Sequence, residues 1–406
     1  MPEKSLNPLR VLVEHRNFRL FWIGQTVSLI GTWMQQVGQG WLALQLSNDA
    51  FIVGLVSAAG SLPVLLFSLY AGVFVDRLNK LRIVTIAQVL LSAEAAVLWW
   101  AVWSGRINIP LLVGLAGING LISAVEIPAR QSLIVELVGR EDVVDAVALN
   151  SGGFNLARII GPSIAAAVIA GAGLAWCFGI NALSYTAVIG CLVAIKLPKF
   201  VPVEGRPSPL NEFRAGIQYI QSRREVTGLI GVIAVYAIFG FQYLTLMPLI
   251  ARDVLNTNAS GYGLLVTFVG IGAVCGALVL AAVSTRVRRG RLFTVSAISF
   301  AVLLLLFSFV NDRRVASGVL LYLGLTMLIN GALANGILQS VVPDELRGRV
   351  MAAYVFVYVG FMPIGSLIAG ALAKVTSVQW TIGSGALIML VYASIAFWKV
   401  PELRRV

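Results

Sequence analysis

Twelve long apolar segments separated by short loops leave this chain few folds to choose from. They fall at about 18–46, 51–75, 83–103, 110–130, 144–170, 174–197, 226–253, 259–284, 292–310, 316–338, 349–373 and 376–399. At about 1.5 Å of rise per residue, each crosses about 30 Å of hydrocarbon as a helix. A helix satisfies its own backbone hydrogen bonds, which lipid cannot do for it. Hydrophobic residues make up 58% of the chain and charged residues 12%, against about a quarter charged in soluble domains. No soluble interior could absorb that much apolar surface, so the expected fold is all-α and membrane-embedded.

Basic residues sort by loop, and that sorting sets the expected orientation. With both termini on one side, that side holds 24 Lys and Arg residues, the other holds five (Arg106, Arg252, Arg313, Arg314 and Lys374), and Arg158 is left inside the membrane. Both termini are therefore expected in the cytoplasm. The net charge of +12 does not point to nucleic acid, because the charges sit in separate short loops and never line one surface. Cys177, Cys191 and Cys275 are dispersed among apolar residues and read as small buried hydrophobes, not metal ligands. No cleaved leader is expected, since Met1 to Arg16 is polar and the apolar run after it is too long.

Two features repeat. A hairpin, Asp76-Arg77-Leu78-Asn79-Lys80-Leu81-Arg82, follows Gly72 between spans two and three, and Thr285-Arg286-Val287-Arg288-Arg289-Gly290-Arg291 stands between spans eight and nine. Gln131-Ser132 after span four is matched by Gln339-Ser340 after span ten. The expectation is two pseudo-symmetric six-helix bundles, residues 1–197 and 226–406, parallel halves of a kind known in transporters. A linker at 198–225 joins them. Leu210, Phe213, Ile217 and Ile220 recur there at helical spacing among polar residues, as in an amphipathic helix lying on the membrane surface.

Gly72-x-x-x-Asp76-Arg77-x-x-Lys80 resembles the signature loop of the major facilitator superfamily, with Asn79 and Lys80 where that pattern has Gly and Arg. Asn79 keeps turn chemistry and Lys80 keeps charge without the bidentate fork. Ile127-Pro128-Ala129-Arg130-Gln131-Ser132 and Asn155-Leu156-Ala157-Arg158-Ile159-Ile160-Gly161-Pro162 are similar to the bacterial group of enterobactin exporters and macrolide efflux proteins. Gly161 and Pro162 also resemble the fifth-span motif of superfamily antiporters, with Ala165 and Ala166 where glycines are usual. Ala116 to Gly120 has no basic residue where proton-coupled members carry a span-four arginine.

The resemblance implies a gate. The acid matching Asp76 docks against the start of span eleven, here near Gly348 to Ala352, where a helix N-terminus offers free N–H groups and the positive dipole end. It also implies that Lys80 pairs with Glu126 in the same gate. The plainer alternatives are a loop acid answering Arg77, worth about 0–1 kcal/mol, and a simple interfacial acid at Glu126.

Other candidates come from the residues themselves. Arg158 lies deep in span five, where an unpaired charge costs at least about 2.5–3.5 kcal/mol. Ser151, Asn155 and Arg158 share a helical face, and the arginine's partner is an anionic substrate group or an internal carboxylate, with Glu94 of span three a candidate. Glu94 is alternatively a coupling residue or a buried acid that stays protonated. In span one, Gln25, Ser28, Thr32, Gln35 or Gln36, and Gln39 advance in helical steps, as cavity lining or as helix–helix glue. Tyr236, Phe239 and Tyr243 share a face in span seven with Gln242 beside them, and Asn330 and Asn335 lie in span ten. Aromatics with a few polar groups suit an amphipathic ligand, while core packing explains the aromatics too.

No Gly-x-x-x-x-Gly-Lys-Ser/Thr occurs, so the chain is not itself an ATP-driven pump. No span holds a His or a Ser/His cluster, so no enzyme is expected, and no cofactor or metal either. The reading is a monomeric secondary active exporter of a small amphipathic molecule (a drug, siderophore or metabolite) in the bacterial inner membrane. It works by alternating access, with proton antiport following from the resemblance. The alternative is a lipid or lysophospholipid flippase of the same fold.

Overall fold

The computed structural model describes residues 9–139, 141–197, 209–283 and 287–404. The side chains of Gly72 and Asp76, the first part of the linker (198–208), and Thr285 and Arg286 lie outside that description. Described residues form helices and no strand. They are α1 (Arg10–Glu14), α2 (Arg16–Ser47), α3 (Ala50–Asp76), α4 (Lys80–Trp103), α5 (Ile109–Val138), α6 (Val143–Gly171), α7 (Ala175–Val193) and the linker helix α8 (Pro209–Ser222). There follow α9 (Arg224–Val235), α10 (Gln242–Thr245), α11 (Met247–Leu249), α12 (Ala259–Val283), α13 (Arg289–Phe307), α14 (Arg313–Val341), α15 (Asp344–Gly360), α16 (Met362–Val375) and α17 (Val378–Lys399).

Eleven helices among the described residues are long and apolar enough to cross a membrane. Helix α2, at 32 residues the longest, is not among them, because its glutamines, serines and glycines dilute its apolar content. Two expected spans are broken. The seventh passes from α9 through π turns at Tyr236–Gly240 and Ile250–Val254, with Pro248 removing a backbone donor between them. The eleventh bends at Phe361, between Gly360 and Pro363. The fourth runs past its expected end at residue 130 to Val138, carrying Pro128 inside it.

Asn79 caps α4, its side chain accepting from Arg82 N at 3.0 Å, as turn chemistry at this position requires. His15 pairs with Asp142 at 2.9 Å, and Asn17 donates to the Lys196 carbonyl at 2.9 Å. These contacts gather loop ends on the face that carries the first and last described residues, called here the terminal face. Lys374 with Asp49, Arg313 with Thr257 and Gln379 with Asn311 mark the opposite face.

Helices α2 to α7 pack mainly on one another, as do α9 to α17 apart from α16, whose main partner is α3 of the first set. Small residues allow the closest approaches, since lipid gives helices no hydrophobic reason to associate. Gly272 of α12 lies against the Leu321 carbonyl of α14, and Gly324 of α14 against the Val269 carbonyl of α12. Here backbone meets backbone, so no rotamer change relieves an added side chain. Gly272→Val is expected to cost about 3 kcal/mol, the upper end of ordinary overpacking, read as a lower Tm and a loss of monodisperse protein.

The two sets meet along two seams near the opposite face. In one, Gly54 of α3 lies against the Ser366 carbonyl of α16, and a Cβ at Gly370 would sit 2.9 Å from the Ala50 carbonyl. In the other, Gly263 of α12 faces the Pro162 carbonyl of α6, Gly270 faces the Arg158 carbonyl, and Ser163 bonds Thr267 at 3.0 Å. Trp41 stacks on Tyr262 between the seams, ring centroids 6.1 Å apart.

Candidate functional site

On the terminal-face side of these seams lies a cavity of about 450 Å³, lined by Arg158, Met327, Leu328, Gly331, Ala332, Asn335 and Tyr358. It takes residues from α6 of the first set and from α14 and α15 of the second. Arg158 lies with its guanidinium carbon 5.5 Å from the centre of the Trp33 ring, and its Nη2 donates to Met327 Sδ at 3.6 Å. Tyr358 lines the same cavity, and the Tyr243 hydroxyl approaches the same Met327 sulfur. A desolvated cation–π contact contributes about 2 kcal/mol, less than the at least 2.5–3.5 kcal/mol or so that a charge costs at this depth. The ring therefore softens the cost without removing it. Among the described residues no carboxylate reaches ion-pair distance of Arg158.

Glu94 is not the partner of Arg158. It is buried within the first set, where its Oε2 accepts from Gln35 Nε2 and Asn119 Nδ2, both at 3.2 Å. Gln35 Oε1 in turn accepts from Asn181 Nδ2 at 2.7 Å, so α4, α5, α2 and α7 share one buried polar chain. Glu94 Oε1 has no hydrogen-bond partner among the described residues.

The span-one stripe divides. Gln35 bonds Glu94 and Asn181, and Thr32 bonds the Ser28 carbonyl at 3.0 Å and the Tyr185 hydroxyl at 3.3 Å, so these two serve contacts inside the first set. Gln25 and Ser28 are buried, and Gln25 Oε1 has no hydrogen-bond partner among the described residues. Gln36 is exposed, one turn from Trp33, while Gln39 Nε2 is buried without a partner among the described residues. Tyr236 is internal to the second set: its hydroxyl donates to the Ala297 carbonyl and its ring packs on Phe300 at 5.3 Å. Tyr243 stays near the cavity, its hydroxyl 3.9 Å from Met327 Sδ. Asn330 is buried with Nδ2 unpartnered among the described residues, and Asn155 donates to the Ser151 carbonyl at 2.9 Å. Gly161 is where α6 crosses α2, its hydrogen facing the Ile30 carbonyl, and Pro162 follows on the α12 seam.

The expected pairing of Lys80 with Glu126 is replaced. Lys80 Nζ lies 2.6 Å from Glu136 Oε1, while Glu126 Oε1 accepts from Arg130 Nε at 2.9 Å and Gln88 Nε2 at 3.2 Å. The longer α5 explains this. Residue 136 is level with the start of the antiparallel α4, and Glu126 lies about 15 Å deeper. Arg77 is exposed at the end of α3. The docking of Asp76 on span eleven falls outside the described side chains.

Sequence reasoning missed one pair that holds the two sets together. Asp49 caps α3, accepting from Phe51 N at 2.9 Å, and its other oxygen accepts from Lys374 Nζ at 2.6 Å. An Asp just before an apolar run is a readable cap signal, but nothing local announces a lysine at the far end of α16. The hydrogen bond from Lys374 holds the Asp49 carboxyl below its ordinary 3.8. A depressed value means the contact is fully present above the ordinary pKa and is lost as pH falls through the lowered one. Between about pH 5 and 8 the latch is therefore expected to be constant. Both groups are partly exposed, so Lys374→Glu should raise labelling of an Ala50→Cys variant from the opposite face by only about 5-fold, matching about 1 kcal/mol.

Met327 and Tyr358 were missed for another reason: in sequence they are ordinary apolar and aromatic span residues. Glu14, His15 and Asp142 also cluster on the terminal face. Arg10 already bonds Glu14 at 3.1 Å and Asp142 at 3.4 Å, so a cation occupies that position.

Residues 4–405 match the family described as transmembrane secretion effectors. The staphyloferrin A transporter of Staphylococcus aureus is 27% identical over 375 residues, covering 89% of this chain and 91% of that protein. The multidrug efflux pump Tap of Mycolicibacterium fortuitum is 27% identical over 384 residues, 90% of each chain. Macrolide efflux protein A of Streptococcus pyogenes is 22% identical over 406 residues, 96% of each. Among solved structures, a bacterial homologue of the human lysosomal transporter Spinster superposes with a TM-score of 0.74 at 11% identity, covering 99% of this chain and 98% of that one. The nucleoside transporter NupG gives 0.72 at 12% identity, covering 94% and 98%.

Proposed function

The chain belongs to the transmembrane secretion effector family, within the major facilitator superfamily, and on that premise we propose that it is a secondary active exporter of a small amphipathic molecule. It is a multi-pass membrane protein of bacterial type. Helix α2 is the twelfth span, the two helix sets are parallel six-helix bundles, and the terminal face is cytoplasmic. The 24-to-five division of basic residues supports that orientation. The close crossings of α3 with α5 at Gly60 and Gly120, and of α12 with α14, join the second and fourth spans of each half, which supports the repeat.

One observation carries the reading: a cavity built from both sets, lying inside seams that close the opposite face. In this orientation it is an inward-facing substrate chamber. Rocking of the bundles would part the glycine seams and close the cytoplasmic side, where Asp76 docks on the start of α15. Arg158, Asn155, Gln36, Gln39, Tyr243 and Asn330 contribute to the substrate path, and Glu94 carries the coupling proton. The relatives are named for efflux and siderophore transport, which favours export over the flipping of lipid.

The test is accumulation in inside-out vesicles. A fluorescent amphiphile should concentrate in an acidic lumen and leak out when a protonophore collapses the gradient. Accumulation that ignores the gradient would refute proton antiport, and none at all with any amphiphile would refute export.

A further inference from the structure

We propose that Arg158 is the recognition element of the chamber and that the transported molecule is an organic anion. A carboxylate or other oxyanion pairs with the guanidinium, and an apolar body lies against Met327 and Tyr358. This rests on the exporter reading above and narrows its substrate class.

The inference turns on where a counter-ion for Arg158 can come from. Helix α2, which carries Trp33, has no Asp or Glu, and neither α12 nor α14 has any. In α6 the one acid is Asp145, thirteen residues away, about 20 Å along the helix. Between Arg224 and Val254 the acids are Glu225 and Asp253 at the two ends, and Asp253 is already held by Arg252 at 2.5 Å. In α15 the acids are Asp344 and Glu345, again about 20 Å from Tyr358. Glu94 is committed to Gln35 and Asn119 on the other side of α2. In α5, Glu126 is held by Arg130 and Gln88, and Glu136 by Lys80. Among the described residues no carboxylate stands free at the level of Arg158, and bundles that rock about a midplane do not slide one helix about 20 Å along another.

The guanidinium is nonetheless positioned. Trp33 supports one face, and one of its five N–H groups meets a thioether, a weak acceptor. Its other donors have no acceptor among the described residues, beside an open chamber of about 450 Å³. That volume is ordinary for a small-molecule site. A planar fork with free donors suits a bidentate oxyanion, and a cation in the same chamber would meet like charge in a medium that screens poorly.

Equilibrium dialysis of the purified full-length protein in neutral detergent tests this with three matched probes: 2-naphthoate, 2-naphthalenemethanol and 2-naphthylmethylammonium. The wild type should bind the anion at least about 10-fold more tightly than the other two, about 1.4 kcal/mol. Arg158→Gln should erase that preference and Arg158→Lys retain part of it, the lysine variant guarding against a fold defect. Equal binding of the three probes, binding of none of them, or an Arg158→Gln protein that still prefers naphthoate would each overturn the proposal. Lysophosphatidylglycerol, added as a competitor, separates the sources of the oxyanion: displacement of naphthoate points to a lipid headgroup, and no displacement to a soluble acid. Vesicle accumulation is scored separately. Anion preference without gradient-driven flux leaves the site standing and refutes the exporter, while flux without anion preference does the reverse.

Discussion

Gly54→Val is expected to reduce transport to about 1% of wild type while leaving the purified protein folded. A Cβ at this position meets the Ser366 carbonyl and the Gly370 Cα, and neither can turn aside. Overpacking of this kind costs about 1–3 kcal/mol, and the upper end shifts a two-state equilibrium by about 100-fold. The cost falls on one state only. When the bundles rock apart at this seam the valine has room, so the protein should accumulate in the outward-open form. Ala50→Cys, buried in the closed seam, reports this through thiol labelling from the opposite face, which should become fast in the Gly54→Val background. Wild-type flux with Ala50→Cys still protected would refute the closing role of the seam. The contrast with Gly272→Val is diagnostic, because Gly272 packs within one set and is penalised in every state.

Glu94→Gln should cut uphill, gradient-driven accumulation by at least about 10-fold while substrate exchange without a gradient persists. Glutamine keeps the size of the side chain and removes the ionisable proton. The expectation comes from the position of Glu94 in its chain of hydrogen bonds. Its carboxyl is tied to α2 through Gln35, and Gln35 is only two residues from Trp33, which lies over Arg158 on a different face of the same helix. On the proposed reading, a proton arriving at Glu94 changes what Gln35 and Asn119 can donate to, and α2 would carry that change to the chamber. Buried polar networks respond as units in this way because an unmatched donor is costly in a low dielectric. Uphill accumulation by Glu94→Gln equal to wild type would remove Glu94 from the coupling path.

The spans were legible because lipid imposes one rule on every residue that crosses it. The cap at Asn79 and the uncompensated charge at Arg158 were legible because each is a local statement of chemistry. What was not legible depends on levels and directions. The resemblance implies a Lys80–Glu126 pair, and an end of span four at residue 130 makes the two level, but α5 runs eight residues further to Val138, and a shift of that size selects another partner. Gln35 and Gln36 are neighbours in sequence, yet one is buried beside Glu94 and the other exposed. Periodicity alone does not separate them. The seams were invisible for the opposite reason: glycine has no side chain with which to announce its neighbour, and only the fold shows which of the 40 touch across the halves.

The glycine seams also bear on the character of the proposed motion. A carbonyl resting on an α-carbon attracts by dispersion, which fades within an ångström or so of separation. Ion pairs act over longer distances and would let the halves drift apart gradually. A contact with so little reach holds fully or lets go, and a half-open seam keeps only the partly exposed Asp49–Lys374 pair, worth about 1 kcal/mol, to restrain it. The transporter should therefore pass abruptly between two shapes, more like a snap fastener than a hinge on a spring.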